Sequence, residues 1–377
     1  MKRNVWNVML LAVLAACASQ PAGKPSATPA VAVPATPEPA TPIAAPVSVP
    51  SPAVDAEPIT DEVIARKAEF IQATAKRFNI PADEISNTLA QAKYKQSIVN
   101  AMARPAESTR TWAQYRPIFL TDSRIRQGRQ YLEENRADVM AVSQKTGVPA
   151  EVILAIMGVE TGWGGNMGSH NVLDALYTLA FYYPVINGKT NPARSAFFTD
   201  ELSQLFALAK EEGFDVRTLK GSYAGAMGLG QFMPSSYRKY AVDGNGDGRR
   251  DLFTSKQDAF ASVANYFVGF GWQPQKPVFV RANAKPGTAP FKPENWEPAY
   301  SLADLASKGY TPNAAVEDLP ATLLTLEGAQ GLEHWIGFKN FWVITRYNRS
   351  PMYAMAVWQL SQEIAQRPYN ADQPVTP

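Results

Sequence analysis

From Thr60 to Phe270 the apolar residues recur at helical spacing. Thr60-Asp61 suits a helix N-cap and is followed by Val63, Ile64, Phe70 and Ile71. Pro81 opens a second segment with Ile85 and Leu89 on one face. A third, through Ile125, Leu132, Val139, Met140 and Val142, reads as one helix. A fourth starts at Pro149, and Ser195 to Lys210 and Asp258 to Gly269 keep the same period. After Trp272 the texture changes. Val278-Phe279-Val280, Ala321 to Leu326 and Trp335 to Thr345 are short β-type runs split by Pro and Gly. Helical spacing returns at Met352 to Ala365, and no solenoid-type repeat is present. The expected fold is mainly α (α+β): a helical N-terminal part, a helical core and a small β-rich insert.

The first 58 residues do not follow this pattern. Lys2 and Arg3 precede an apolar run, Val8 to Leu14, too short to span a bilayer permanently. Leu14-Ala15-Ala16-Cys17 follows and resembles a bacterial lipobox, in which the Cys is lipidated and becomes the new N-terminus. The alternative is an ordinary secretion signal that happens to end near a Cys, but the n-region, apolar run and small-residue site all agree with the lipobox. Residues 18–58 are rich in Pro, Ala, Ser and Thr, with few charges and no aromatics, a composition that cannot bury a core. The organisation expected is a signal peptide at 1–16, then lipidated Cys17 with a linker to 58. A helical N-terminal part and core at 59–272 follows, then a β-rich insert at 273–345, a C-terminal core segment at 346–366 and a tail at 367–377.

Composition narrows the chemistry. Cys17 is the only cysteine of 377 residues, so the mature domain has no internal disulfide, no Cys nucleophile and no thiolate metal site. Two histidines, His170 and His334, leave little room for a Ser-His-Asp triad or a multi-His metal centre. The net charge of +2 is interspersed, with no basic run of the kind that holds nucleic acid.

One local pattern points to catalysis. After Pro149 and Glu151 come Val152, Ile153, Ile156 and Met157, and Glu160 falls on the same stripe before Gly162, Gly164 and Gly165 end the helix. A carboxyl at the buried end of an apolar helix is costly without a role. Desolvation favours the protonated form, which a general acid needs. A structural Glu bound to nearby amides fits the local pattern equally well.

Ile156-Met157-Gly158-Val159-Glu160-Thr161-Gly162 resembles the catalytic-Glu motif of the lysozyme-like lytic transglycosylases, in particular the membrane-bound lytic murein transglycosylase B family. Gly221-Ser222-Tyr223-Ala224-Gly225-Ala226-Met227-Gly228-Leu229-Gly230-Gln231-Phe232-Met233-Pro234-Ser235-Ser236-Tyr237 resembles its second block. Ser262 to Phe267 with Gly271-Trp272, and Thr345-Arg346-Tyr347-Asn348 with Tyr353 to Val357, resemble two more. The resemblance implies a lysozyme-like fold and cleavage of the MurNAc–GlcNAc bond without water, giving 1,6-anhydro-MurNAc ends. It implies Glu160 as sole acid/base, Ser222 orienting the N-acetyl group and Gln231 contacting sugar. Tyr115, Tyr266, Tyr347, Tyr353, Asn348 and Arg194 match groove positions, while Ala193 stands where the family often has a second arginine. Taken singly, Ser222 also suits a helix N-cap and each Tyr a half-buried core position. Gly225, Gly228 and Gly230 suit close approach of backbone, to glycan or to neighbouring helices.

Asp243, Asn245, Asp247, Arg249 (through its carbonyl) and Asp251 follow the start of an EF-hand loop over 243–254, with Gly248 at the turn position. Thr254 stands where the bidentate Glu belongs. A structural calcium and a metal-free Asx-rich turn both remain open, and the chemistry requires no cofactor. The expected partners are peptidoglycan glycan strands, with membrane attachment through the lipid anchor as an outer membrane lipoprotein facing the periplasm. Cell-wall synthesis or remodelling proteins are not readable from the chain. A hydrolytic muramidase and a non-catalytic peptidoglycan-binding scaffold are the rival readings.

Overall fold

The computed structural model describes residues 55–103, 110–186 and 188–367. The expected signal peptide, Cys17, most of the linker and nearly all of the tail lie outside them. Among the described residues there are fourteen helices and six strands.

The folded body begins before the expected boundary at 59. Glu57 accepts hydrogen bonds from Lys67, Tyr177 and Tyr182, and the Asp55 carboxylate accepts the Gln96 N–H at 3.0 Å. Thr60 then caps the helix Asp61–Phe78 through a bond from the Val63 N–H, as the sequence suggests.

The segment from Ile125 to Val142 is two helices, not one. Asp122–Glu134 stops at Asn135, whose side-chain amide donates to the Tyr131 carbonyl at 2.8 Å, and Arg136–Thr146 restarts beyond it. A short amide competing for backbone partners breaks a helix that apolar periodicity alone would continue. The next helix, Ala150–Thr161, lies 115° from the one before it. Every residue in it except Glu151 and Glu160 is buried, so it is the central helix of the core. Helix Pro351–Ile364 packs against it and is also largely buried.

Phe279–Ala284, Tyr310–Pro312, Thr322–Gly328 and Gly331–Gly337 form one antiparallel sheet. Register sets its two faces. Phe279, Leu324 and Trp335 join the main core, with Phe279 and Trp335 within 5.4 Å, ring to ring, of Trp358 on the C-terminal helix. Burying such side chains stabilises by roughly 1.5–3 kcal/mol each. On the opposite face, Val280, Leu323 and Ile336 make a second, smaller core with Leu305 and Tyr310.

Trp335 to Thr345 carries a β-type run in the sequence, but its second half is the helix Lys339–Tyr347. Phe341, Ile344 and Tyr347 are buried at helical spacing, so packing overrides the β propensity of aromatic and β-branched residues there. Helices Gln96–Ala103, Trp112–Phe119, Val172–Phe181, Pro234–Tyr240 and Leu302–Ser307 have no counterpart in the periodicity reading. Val172–Phe181 is buried on all sides and shows no polar face. Among the described residues no single helix is long and apolar enough to cross a membrane.

Candidate active site

Glu160 stands on the last turn of the central helix, half-buried at the surface of the core. That helix end is tied down. Gly162 and Trp163 both adopt left-handed conformations, at φ 58° and 57°. Holding Trp163 there costs about 1–3 kcal/mol. The Trp163 indole folds back, its Nε1–H donating to the Leu154 carbonyl at 3.0 Å. It packs against Gly158, where a Cβ would meet the ring at 2.5 Å. The Thr161 hydroxyl is shared between the Met157 and Leu229 carbonyls at 3.1 and 3.0 Å, and its oxygen accepts the Gly164 N–H. Thr161 thus fastens the Glu160 helix to the glycine-rich block.

Tyrosines form the wall beside Glu160. The Tyr353 hydroxyl donates to Glu160 Oε1 at 2.5 Å. Burial first, and the Glu160 charge second, hold the Tyr353 phenol well above its usual pKa, so it stays a donor. Tyr347 is shifted upward for the same two causes and donates to the Gly230 carbonyl at 2.6 Å. A Cβ on Gly230 would lie 2.9 Å from that hydroxyl, so glycine admits this contact. Tyr266 packs on Tyr347 with ring centres 4.8 Å apart and donates to the Arg346 carbonyl. Tyr115, on the helix Trp112–Phe119, is fully buried and close enough to Tyr353 to raise that phenol further. All four tyrosines are buried, and the Tyr266, Tyr347 and Tyr353 hydroxyls are spent on Arg346, Gly230 and Glu160.

Ser222 follows a two-stranded ribbon in which Lys220–Gly221 pairs with His170–Asn171. No helix starts there. Its oxygen accepts the Ala224 and Ala226 N–H groups at 3.3 and 3.0 Å, which caps a tight turn and leaves its own proton outside those bonds. Gln231 is held at φ 52°, its amide donating to the Met167 and Gly228 carbonyls, both at 3.1 Å. Asn348 is buried and accepts the Ser350 N–H. Arg194, near the start of helix Pro192–Glu212, lies over Phe197 and Phe198 at about 5 Å. The sequence reading assigned no role to Arg346 and Arg349. Burial lowers the pKa of both; Arg349 lowers that of Arg346 further and Arg194 that of Arg349, while Tyr266 opposes both shifts. A family block containing arginine inside a buried Tyr-rich stretch was the available signal.

The loop at 243–254 is closed by its own hydrogen bonds. Asp243 accepts the Gly246, Asp247 and Gly248 N–H groups, and Asp247 accepts that of Arg249. Asp251 accepts from Phe253, Thr254 and the Thr254 hydroxyl. Buried Asp258 reaches in from the next helix and takes the Gly244, Asn245 and Asp251 N–H groups. No three His, Cys, Asp or Glu side chains among the described residues converge on a metal position. Each carboxylate keeps lone pairs beyond the N–H groups it accepts, so Asp243, Asn245, Asp247, Asp251 and the Arg249 carbonyl are the groups that would hold a cation, while Thr254 offers a single hydroxyl where the bidentate acid belongs.

One glutamate presented at the end of a core helix, facing a glycine-rich turn within a mainly helical body, is the arrangement of a lysozyme-like glycan-cleaving enzyme. Residues 63–362 match the transglycosylase SLT domain. The chain belongs to that family and is a lytic murein transglycosylase, a lyase acting on the glycosidic bonds of peptidoglycan. It is 40% identical over 307 residues to the membrane-bound lytic murein transglycosylase B of Escherichia coli strain K12, covering 79% of this chain and 82% of that protein. The soluble lytic transglycosylase SltB1 of Pseudomonas aeruginosa superposes with a TM-score of 0.73 at 41% identity, over 80% of this chain and 98% of that one. Escherichia coli Slt35 in complex with calcium superposes at 0.71 and 39% identity, over 80% and 93% of the two chains.

Proposed function

We propose that Glu160 is the acid/base of this enzyme. Its carboxyl protonates the glycosidic oxygen between MurNAc and GlcNAc while the substrate's N-acetyl oxygen stabilises the anomeric carbon. The resulting carboxylate then takes the proton of the MurNAc C6 hydroxyl, which closes a 1,6-anhydro ring. No water is consumed, and one side chain serves both steps. The observation that carries this reading is the Tyr353–Glu160 hydrogen bond: a phenol held protonated by burial keeps the carboxyl oriented in both of its states. Ser222 has a proton to offer the N-acetyl oxygen, and Gln231, Asn348, Arg194 and the tyrosines line the approach. Digesting purified sacculi with Glu160→Gln tests the assignment. Muropeptide release should nearly vanish with the fold intact, and release at the wild-type rate overturns it. Wild-type products one water lighter than muramidase products support anhydro-ring closure; hydrolysed ends refute it.

The Cys17 lipobox and the linker after it support anchoring in the outer membrane, facing the periplasm. A relative that carries "membrane-bound" in its name adds to this. Ala18 is not the Asp that retains enterobacterial lipoproteins in the inner membrane. Cys17→Ser should leave the protein soluble or unprocessed, and a processed variant still fractionating with outer membranes refutes the anchor.

A further inference from the structure

The face of the four-stranded sheet turned away from the main core is only half covered. Helix Leu302–Ser307 and the loop at 285–296 bury Val280, Leu305 and Ile336, but the end near the Gly328–Gly331 hairpin stays open. There a cavity of about 450 Å³ opens, floored by Tyr310, Thr325 and His334 and walled by Phe291 and Trp296. That size falls within the usual range for small-ligand sites. A second cavity of about 550 Å³ adjoins it across Phe291. Lys285 lines both, Lys292 the first and Lys308 the second, and no acidic residue lines either. Thr325 Oγ1 and His334 Nδ1 sit 3.0 Å apart on the floor, giving fixed polar atoms beside aromatic walls. Leu332 is 62% exposed at the rim.

We propose that this cavity is a second peptidoglycan site, which holds a muramyl-peptide unit of a strand other than the one being cut. Aromatic walls suit the apolar faces of pyranose rings, and the polar floor suits their hydroxyl and amide groups. The lysines, with no acid among them, suit the free carboxylates of the peptide stems. The polymer repeats this unit many times, so a weak second contact raises the local concentration of bonds at the catalytic groove. The site lies on the sheet face opposite the one packed on the core and leaves the Glu160 chemistry untouched. The inference rests on peptidoglycan being the substrate.

The test uses the full chain carrying Lys285→Glu and Lys292→Glu together, both at exposed positions, with Phe291→Ala as an independent variant. Two substrates are compared: intact sacculi, and a soluble uncrosslinked tetrasaccharide-peptide too short to reach both sites. The KM for sacculi should rise about fivefold to tenfold, and pelleting with sacculi should weaken, while kcat and KM on the short fragment stay at wild-type values. An unchanged KM for sacculi overturns the proposal. So does an equal loss on the short fragment, which would place the effect at the groove or in folding. A wild-type chain that cuts neither substrate would refute the enzymatic reading instead, and the pelleting comparison would still decide the second site.

Discussion

The Tyr353 hydroxyl donates to the Glu160 carboxyl across a sequence separation of 193 residues, joining helix Pro351–Ile364 to the central one at the proposed acid/base. Hydrogen bonds to charged groups contribute about 1.5–3 kcal/mol. Tyr353→Phe keeps the ring and removes the donor. It should lower kcat about tenfold to a hundredfold, with KM and fold near wild type. Steady-state kinetics beside a thermal melt check this, and unchanged kcat would leave Glu160 oriented by other contacts.

Ser222→Ala should have two separable effects. Two backbone N–H groups lose their acceptor, which costs about 1–3 kcal/mol and lowers the melting temperature. Turnover per folded molecule should fall as well, because orienting the N-acetyl group matters most in the transition state. If only the melting temperature moves, the serine's role is confined to the turn.

Glu201 is buried on helix Pro192–Glu212 and accepts the Ser235 N–H at 2.9 Å and its hydroxyl at 2.6 Å. Burial pushes its pKa up to about 7, against the lowering by Ser235. Its folded pKa exceeds its unfolded one, so its contribution is fully present below about 4.5 and is lost as pH rises through about 7. Chemical denaturation should show stability falling across that window, and Glu201→Gln should flatten the fall. A slope unchanged in the variant would assign the pH dependence elsewhere.

The loop at 243–254 predicts weak calcium binding. With the bidentate acid replaced by Thr254, affinity should be no tighter than the roughly 10⁻⁴–10⁻³ M of weak extracellular sites. EDTA should leave activity intact and lower the melting temperature only modestly, through mass action. Loss of activity in EDTA, restored by calcium, would show that the loop shapes the site.

Much of this was legible in the sequence because it is written locally. The Glu160 helix, its glycine stop and the switch to β texture after Trp272 all follow from spacing and breakers. Other features depend on partners far along the chain. Nothing near Tyr353 announces that it donates to Glu160, and nothing near Asp258 says that it closes the loop at 243–254. The break at Asn135 and the helix in Lys339–Tyr347 were missed because one side-chain hydrogen bond and one packing surface outweighed propensity. Ser222 suits a cap, but the capped element is a turn formed by its own glycines.

Tyr353 enters from Pro351–Ile364, so the hydrogen-bond donor to Glu160 comes from a segment 193 residues further along the chain. Local segments can collapse around the central helix early, but the donor to Glu160 arrives only when segments 193 residues apart meet, a non-local contact of the slow kind. A chain cut short before residue 351 would carry Glu160 without its donor. With Glu160 as the proposed acid/base, one cleavage ahead of that helix removes its donor and a packing partner of the central helix together.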